Sequence, residues 1–223
     1  MIYDFHTHSF LSDGVLSPVE LIRRALVNQY EAIAITDHAG PGNMRRVIAE
    51  LIRECQIAEK YWKITAIPGV ELTHVPAGSI AELAEEARQC GAQLVVVHGE
   101  TLVEPVEPGT NLAAVSCKAV DILAHPGLLN SEEAELAVKN DIFIEITSRG
   151  GHNTSNGHVA RVGREAGVKF LVNSDTHEPG NLLTDTRVRN VALGSGLLHA
   201  ELDKVIKENP FGLLQRIESR RRV

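Results

Sequence analysis

Short apolar runs alternate with amphipathic helical patterns along the whole chain. Seven of the runs have the length and β-branched content of strands: IYDF, AIAIT, ITAIPGV, AQLVVV, VDILA, IFIEIT and KFLVN. Because they are apolar almost throughout, we expect them to be covered on both faces, as in a parallel sheet. Strands joined through helices require parallel pairing with right-handed crossovers. The pattern therefore predicts a closed (β/α) barrel or an open doubly wound sheet, and seven repeats favour the barrel.

Two of the helical patterns carry recognisable start signals. In SPVELIRRALVNQY, Ser17 precedes Pro18 at the predicted first helical position, and Glu20 is placed to close a capping box. In SIAELAEEARQCG, Ser79 and Glu82 repeat the same spacing. These signals predict a helix after the first strand and another after the third.

The longest irregular connection, GETLVEPVEPGTNLAAVSCKA, follows the fourth strand run. We expect it to contain one short helix near residues 111–117, and connections of this length in compact domains are often functional lids. No composition shift, low-complexity stretch or Pro/Gly/Ser-rich linker divides the sequence. Residues 1–223 are therefore predicted to form a single domain.

Composition narrows the class of protein. The chain has 223 residues, of which 43% are hydrophobic, enough for one sizeable core. A formal net charge of −7 does not favour binding to the negatively charged backbone of a nucleic acid. Its three cysteines are widely spaced and form no CxxC pair, so neither a disulfide framework nor a zinc ribbon is indicated. With no apolar run near the roughly 20 residues that span a bilayer, we expect a soluble cytoplasmic protein with no membrane partner.

Side chains that bind metal ions follow most of the predicted strands. They are His6 and His8 after the first run, Asp37 and His38 after the second, Glu71 after the third, His98 after the fourth, His125 after the fifth, and Asp175 and His177 after the seventh. In a parallel α/β barrel these strand ends lie on one face, where active sites form. Imidazoles mixed with a few carboxylates suit zinc, manganese or iron better than calcium or magnesium. More ligands are present than one ion can use, so the sequence predicts a cluster of two or three ions that Glu71 is available to bridge.

Two aspartates near these histidines have more than one interpretation. Asp37 is either an acceptor that orients an imidazole or a residue that shapes the turn before His38. Asp13, in the segment SDG, either starts a turn with Gly14 or completes a ligand set with His38 and His177.

Five motifs, taken in order, resemble the PHP (polymerase and histidinol phosphatase) family: DFHTHSFLSDG, ITDH, IPGVE, AHPG and NSDTH. The resemblance extends over residues 2–177. It implies a distorted (β/α)7 TIM-like barrel, a trinuclear centre of three divalent transition metal ions (Zn, Mn or Fe), and hydrolysis of phosphate esters.

Carried over position by position, the resemblance also implies which side chains hold each ion. The implied sets are His6, His8, Glu71 and Asp175 for the first ion, Glu71, His98 and His125 for the second, and Asp13, His38 and His177 for the third. Some family members have histidine where this chain has Asp13.

The segment ITSRGGHNTSNGH, after the sixth strand, supplies candidates for substrate contact. Arg149 is a candidate phosphate clamp and His152 a candidate general acid, since an arginine fork binds phosphate and a nearby histidine can protonate a leaving alkoxide. The alternative is a surface loop in which Arg149 pairs with Glu104 or Glu107. His74, shortly after the third strand, is a further candidate that could face the pocket.

Three classes of function remain open at this stage. The first is a phosphoesterase that cleaves a small-molecule phosphate monoester, with histidinol phosphate as one candidate, by a metal-activated hydroxide. The second is a nuclease or exonuclease acting on DNA or RNA ends, which the acidic composition and the absence of an aromatic stacking stripe disfavour. The third is a non-catalytic metal-binding barrel. The sequence makes no prediction about oligomeric state.

Overall fold

A computed structural model of the chain describes residues 2–221. The strands are β1 (Ile2–Asp4), β2 (Tyr30–Ile35), β3 (His38–Ala39), β4 (Thr65–Leu72), β5 (Leu94–His98), β6 (Ile122–Ala124), β7 (Phe143–Thr147) and β8 (Phe170–Asn173). The α-helices are α1 (Pro18–Val27), α2 (Met44–Tyr61), α3 (Ile80–Gln89), α4 (Thr110–Ser116), α5 (Ser131–Lys139), α6 (Asn156–Ala166), α7 (Asp185–Gly194) and α8 (Asn209–Arg221). None of the helices in this range is long and apolar enough to cross a membrane.

The sheet is parallel and runs in the order β1-β2-β4-β5-β6-β7-β8. It nearly closes on itself just past the ends of β8 and β1, where Thr7 and Thr176 form a parallel bridge. There the amide of His8 donates to the carbonyl oxygen of Thr176 (2.8 Å) and the amide of Asp175 donates to that of His6 (2.9 Å). The predicted seven-stranded barrel is therefore confirmed. The additional strand β3 is two residues long and pairs with the end of β4.

Helix α8 covers one end of the barrel. Its Leu213, Leu214 and Ile217 pack with the small inner core that the strands enclose, in which Phe5 and Phe143 are almost fully buried. Arginines of α8 also bind residues that lie just before strands: Arg220 to Asp121 before β6 and Arg221 to Gln93 before β5. This helix covers the end where the strands begin, and the opposite end, where they finish, remains for polar side chains.

The predicted helix starts are partly confirmed. At α1 the Ser17 hydroxyl accepts from the amide of Glu20 (3.2 Å) with Pro18 in the first turn, but the Glu20 carboxylate accepts from Arg24 rather than closing a box. At α3 the helix begins as predicted, at Ile80, but the predicted capping box is absent, because Ser79 lies in a 3-10 turn and its hydroxyl donates to the carbonyl oxygen of Pro76 (2.7 Å). Ser79 already has helical backbone angles, so its side chain is not placed to cap the amides that follow.

The long connection after β5 contains the expected short helix, α4. The part before it, residues 99–109, is here called the β5–α4 loop. Glu100 fixes its end by accepting from the amides of Gly109 and Asn111, both at 2.9 Å. Glu107 ties it to the segment after β4 by accepting from the amide of Ala77 (2.9 Å). These bonds hold the loop over the carboxyl ends of β4 and β5.

Candidate metal centre

The side chains predicted as metal ligands converge at the carboxyl end of the barrel. Three compact groups form, in each of which one ligand atom per residue lies within 4.8 Å of the others: His8, Asp13, His38 and His177; His6, Glu71 and His125; and His6, His8 and Asp175. His98 differs, since its compact group is with His74 and Glu104. The structure thus brings the predicted set to one place but associates His98 with two residues from outside it.

Glu71 is fully buried at the centre of the cluster. Its Oε1 lies 3.1 Å from His6 Nε2 and 3.5 Å from His125 Nε2, and its Oε2 lies 2.7 Å from His38 Nδ1. Burial alone would raise the pKa of Glu71, but the charges of His6, His38 and His98 hold that pKa well below its usual value. The two oxygens of one ionised carboxylate therefore face different histidines, which is the arrangement that a bridging ligand requires.

Several ligand atoms in the cluster are buried without a hydrogen-bond partner. Among residues 2–221 they include His6 Nε2, His8 Nε2 and Glu71 Oε1, where both nitrogens face the Glu71 carboxylate. Buried polar atoms normally have partners, and each one left without costs about 1 to 3 kcal/mol. Unpaired imidazole nitrogens that converge on unpaired carboxylate oxygen are the donor set that divalent transition metals bind. The residues therefore fit the metal ions that the sequence implies.

Asp13 reaches the cluster from the loop after β1. Its Oδ1 lies 3.1 Å from His177 Nε2 and 3.5 Å from His38 Nε2. Burial works to raise the pKa of Asp13, but hydrogen bonds from these two histidines lower it far more. A side chain at Gly14 would collide with the carbonyl oxygen of His8, which explains the glycine of SDG. Asp13 thus belongs to the turn with Gly14 and also faces His38 and His177, the other two members of the predicted third ligand set.

Asp37 shapes a loop rather than orienting an imidazole. Its Oδ1 accepts from the amide of Ser9 (2.7 Å) and the hydroxyl of Ser12 (2.6 Å), and its Oδ2 accepts from the hydroxyl of Ser9 (2.7 Å). These bonds fix the segment that connects His8 to Asp13. The Asp37 side chain therefore fixes the loop after β1, whereas the sequence placed it either on an imidazole or in the turn before His38.

Glu145 was not among the predicted site residues, although it lies directly behind the cluster. It is fully buried in β7, its Oε2 is 2.7 Å from His6 Nδ1, and the same oxygen accepts from Asn173 Nδ2 (2.9 Å). Burial would raise the pKa of Glu145, but the charge of His6 lowers it. Holding Nδ1 leaves Nε2 of His6 to face Glu71, as expected for a histidine ligand oriented by a carboxylate. A lone glutamate inside the apolar run IFIEIT was the signal that could have identified it.

We expect Glu145→Gln to reduce metal affinity by about tenfold. Carboxylates that orient histidine ligands typically contribute a factor of 10 to 100, and glutamine keeps an acceptor oxygen, which places the effect at the lower end. Equilibrium dialysis with Zn²⁺ measures the change. Unaltered zinc affinity in a folded variant would mean that Glu145 does not orient a metal ligand.

Three residues around the site have left-handed backbone conformations that are uncommon outside glycine. They are His125 (φ 25°), His74 (φ 51°) and Asp175 (φ 53°). Such conformations persist where the surrounding structure imposes them, and they concentrate at functional sites. In AHPG, Gly127 also has positive φ, and a side chain there would collide with the carbonyl oxygen of Glu100. The turn after β6 is thus closely packed under the β5–α4 loop.

A cavity of about 50 Å³ opens above the cluster. Arg149, His152 and Glu104 line it together with six of the nine metal-ligand candidates, namely Asp13, His38, His98, His125, Asp175 and His177. The Arg149 guanidinium donates to the carbonyl oxygen of Asp175 (3.4 Å) and forms no ion pair with a carboxylate of residues 2–221. The alternative pairing is not observed, because Glu104 binds histidines and Glu107 binds a backbone amide.

His152 and His74 differ in position. His152 is buried, with Nδ1 2.8 Å from Thr101 Oγ1 and Nε2 3.4 Å from Glu104 Oε1. Burial, followed by the charge of His125, lowers the pKa of His152 to about 4, so the free imidazole is neutral at pH 7. The side chain of His74 is 41% exposed and lies outside the cavity, at its mouth. Glu104, which contacts both histidines, was missed because only the folded loop brings it here.

Comparisons with known proteins show what the chain is similar to. Residues 4–174 match the model of the PHP domain. An uncharacterized protein of Methanocaldococcus jannaschii is 51% identical over 218 residues, covering 97% of this chain and all of that protein. A 5'-3' exoribonuclease of Haemophilus influenzae is 44% identical over only 71 residues, 32% of this chain and 23% of the enzyme. The crystal structure of a candidate histidinol phosphatase from Listeria monocytogenes superposes with a TM-score of 0.60 at 11% identity, over 81% of this chain and 97% of that one.

Proposed function

This chain belongs to the PHP-domain family, and on that premise we propose that it is a hydrolase of phosphate esters that cleaves a small-molecule phosphate monoester at a trinuclear metal centre. The observation that carries the proposal is the group of buried, unpartnered ligand atoms around Glu71. A binding barrel without catalysis has no need of an open cavity above such a cluster, with an arginine in its wall that pairs with no carboxylate of residues 2–221.

We assign the ligands to three divalent ions, with Zn, Mn and Fe as the candidates. The sets are His6, His8, Glu71 and Asp175; Glu71, His98 and His125; and Asp13, His38 and His177. Distances from His8 Nε2 to Asp175 Oδ1 (3.3 Å) and from His177 Nε2 to Asp13 Oδ1 (3.1 Å) support the first and third sets. Bound there, the ions would supply Lewis acidity towards the phosphoryl oxygens and lower the pKa of water.

The side chains of the cavity wall supply the remaining functions. Arg149 would bind two phosphoryl oxygens through its planar fork, which needs a guanidinium that no carboxylate already holds. His152 would protonate the leaving alkoxide, and the negative substrate phosphate has to raise its pKa for that role. His74 lies at the mouth beside Glu104, so we assign the acid role to His152 instead.

The size of the cavity supports a monoester with a small or exposed leaving group. About 50 Å³ gives room for a few water molecules or one phosphoryl group, so the rest of the substrate has to lie outside. Histidinol phosphate is the first compound to test. A nuclease is the second candidate, because part of the chain resembles an exoribonuclease, but a net charge of −7 does not favour a polynucleotide.

We place the protein in the cytoplasm as part of the same proposal. Cys55, Cys90 and Cys117 are all free thiols, and Cys55 is buried, where burial raises its pKa and keeps it unreactive. Free cysteines are usual in reducing compartments.

A substrate panel tests the proposed function. The protein is reconstituted separately with Mn, Zn and Fe, then offered phosphomonoesters including histidinol phosphate, an aryl phosphate, phosphodiesters and a labelled single-stranded oligonucleotide. We expect monoester turnover to exceed the others. Faster shortening of the oligonucleotide would support the nuclease instead, and no turnover of any compound by metal-loaded protein would support a non-catalytic barrel.

A further inference from the structure

Three side chains meet at the mouth of the cavity, above the buried cluster. His74 follows β4, His98 ends β5 and Glu104 lies in the β5–α4 loop; together they are called the mouth trio. Glu104 Oε2 is 3.1 Å from both His74 Nε2 and His98 Nε2. Each residue offers one ligand atom, and these atoms all lie within 4.8 Å of one another.

The chemistry and the spacing of the mouth trio suit a transition metal. Two imidazoles and one carboxylate form a ligand set that holds zinc in hydrolases and leaves a position open. Zinc–ligand bonds near 2.0 to 2.1 Å give a tetrahedral edge of about 3.3 Å, close to both separations from Glu104. The Nδ1 of His98 lies 3.2 Å from the carbonyl oxygen of Gly99, so Nε2 is the nitrogen that remains for a metal.

The position differs from the buried sets in its access to solvent. The side chains of His74 and Glu104 are 41% and 37% exposed, whereas Glu71 is fully buried. His74 also has a left-handed backbone conformation, with φ of 51°. Such a conformation persists only where the surrounding structure imposes it, so the backbone fixes the position of this residue.

We propose that the mouth trio binds a divalent transition metal ion, separate from the buried centre and exchangeable with solution. The Nε2 of His98 can bind only one ion at a time. An ion at the mouth therefore competes for this ligand with the ion that we assign to Glu71, His98 and His125. It also lies on the opening of the cavity, which Glu104 and His98 line. Excess metal therefore inhibits the hydrolase. The inhibition rests on the proposed function, whereas the binding of the ion does not.

Equilibrium dialysis against Zn²⁺ followed by elemental analysis tests the binding. The variants are Glu104→Gln and His74→Asn, the latter because asparagine tolerates positive φ. Glu107→Gln is the matched control, since this carboxylate lies in the same loop but accepts from the amide of Ala77. In the parent and in Glu107→Gln, we expect one zinc ion per chain to bind more weakly than the other zinc ions. Glu104→Gln and His74→Asn should each lower the affinity for that ion at least tenfold, because even residues that only orient metal ligands contribute a factor of ten or more to affinity.

The proposal is overturned if the zinc-binding isotherms of Glu104→Gln and His74→Asn are the same as those of the parent and of Glu107→Gln. If the weak ion is found, turnover of an active phosphomonoester should fall with excess Zn²⁺ in the parent and the control but not in Glu104→Gln. Equal inhibition in all of them would overturn the inhibitory role. Absence of any turnover would contradict the proposed function and leave the dialysis result standing.

Discussion

Glu71→Gln is expected to cause a larger loss of bound metal and of activity than replacement of any single histidine. The carboxylate presents Oε1 to His6 and His125 and Oε2 to His38, so its charge is shared between ligand sets. Glutamine keeps the shape but is uncharged, and it replaces one carboxylate oxygen with an NH2 group that does not bind metal. A residue that only orients one ligand contributes a factor of 10 to 100, so we expect kcat/KM to fall by more than about a hundredfold.

The comparison variant is His98→Ala, which removes one imidazole from one ion. Metal content and kcat/KM are measured on the same preparations, and circular dichroism checks that both variants fold. If the two variants retain equal metal and lose equal activity, the bridging role of Glu71 is wrong.

Arg149→Ala is expected to lower kcat/KM by one to two powers of ten while leaving metal content and thermal stability unchanged. The guanidinium lines the cavity, and among residues 2–221 it donates to the carbonyl oxygen of Asp175 and pairs with no carboxylate. A charge-assisted contact to phosphate contributes about 1.5 to 3 kcal/mol, which corresponds to that change in rate.

Arg149→Lys serves as the matched control for charge. Lysine should restore only part of the lost kcat/KM, because a point charge does not reproduce the planar two-donor fork. Unchanged kcat/KM for a true substrate in Arg149→Ala would remove this residue from the site, and a lower melting temperature with normal catalysis would make it a structural residue.

Much of the site follows from one regularity of the sequence. Strands that are apolar throughout must lie in a covered parallel sheet, and all their carboxyl ends then lie on one face. This is why His6, Glu71, His125 and Asp175, far apart in the chain, are brought together as the strand pattern predicts. The motifs then related the cluster to a family, which the match over residues 4–174 bears out.

What the sequence did not predict depends on short or irregular backbone. Strand β3 has two residues and leaves no periodicity to detect. Ser79 has the spacing of a cap, but the preceding turn gives it helical angles and directs its hydroxyl to Pro76. Glu104 reaches His98 only through the conformation of the β5–α4 loop, which bonds at Glu100 and Glu107 determine.

The most direct test of a multinuclear centre is the metal content of the purified chain. The protein is stripped with a chelator, reconstituted separately with Mn, Zn and Fe, freed of loosely bound ions by gel filtration, and analysed for metal per chain. Convergence of imidazoles and carboxylates on shared, unpartnered atoms predicts more than one tightly held ion per chain, approaching three with the preferred metal. A content below one ion per chain with every metal would contradict the account.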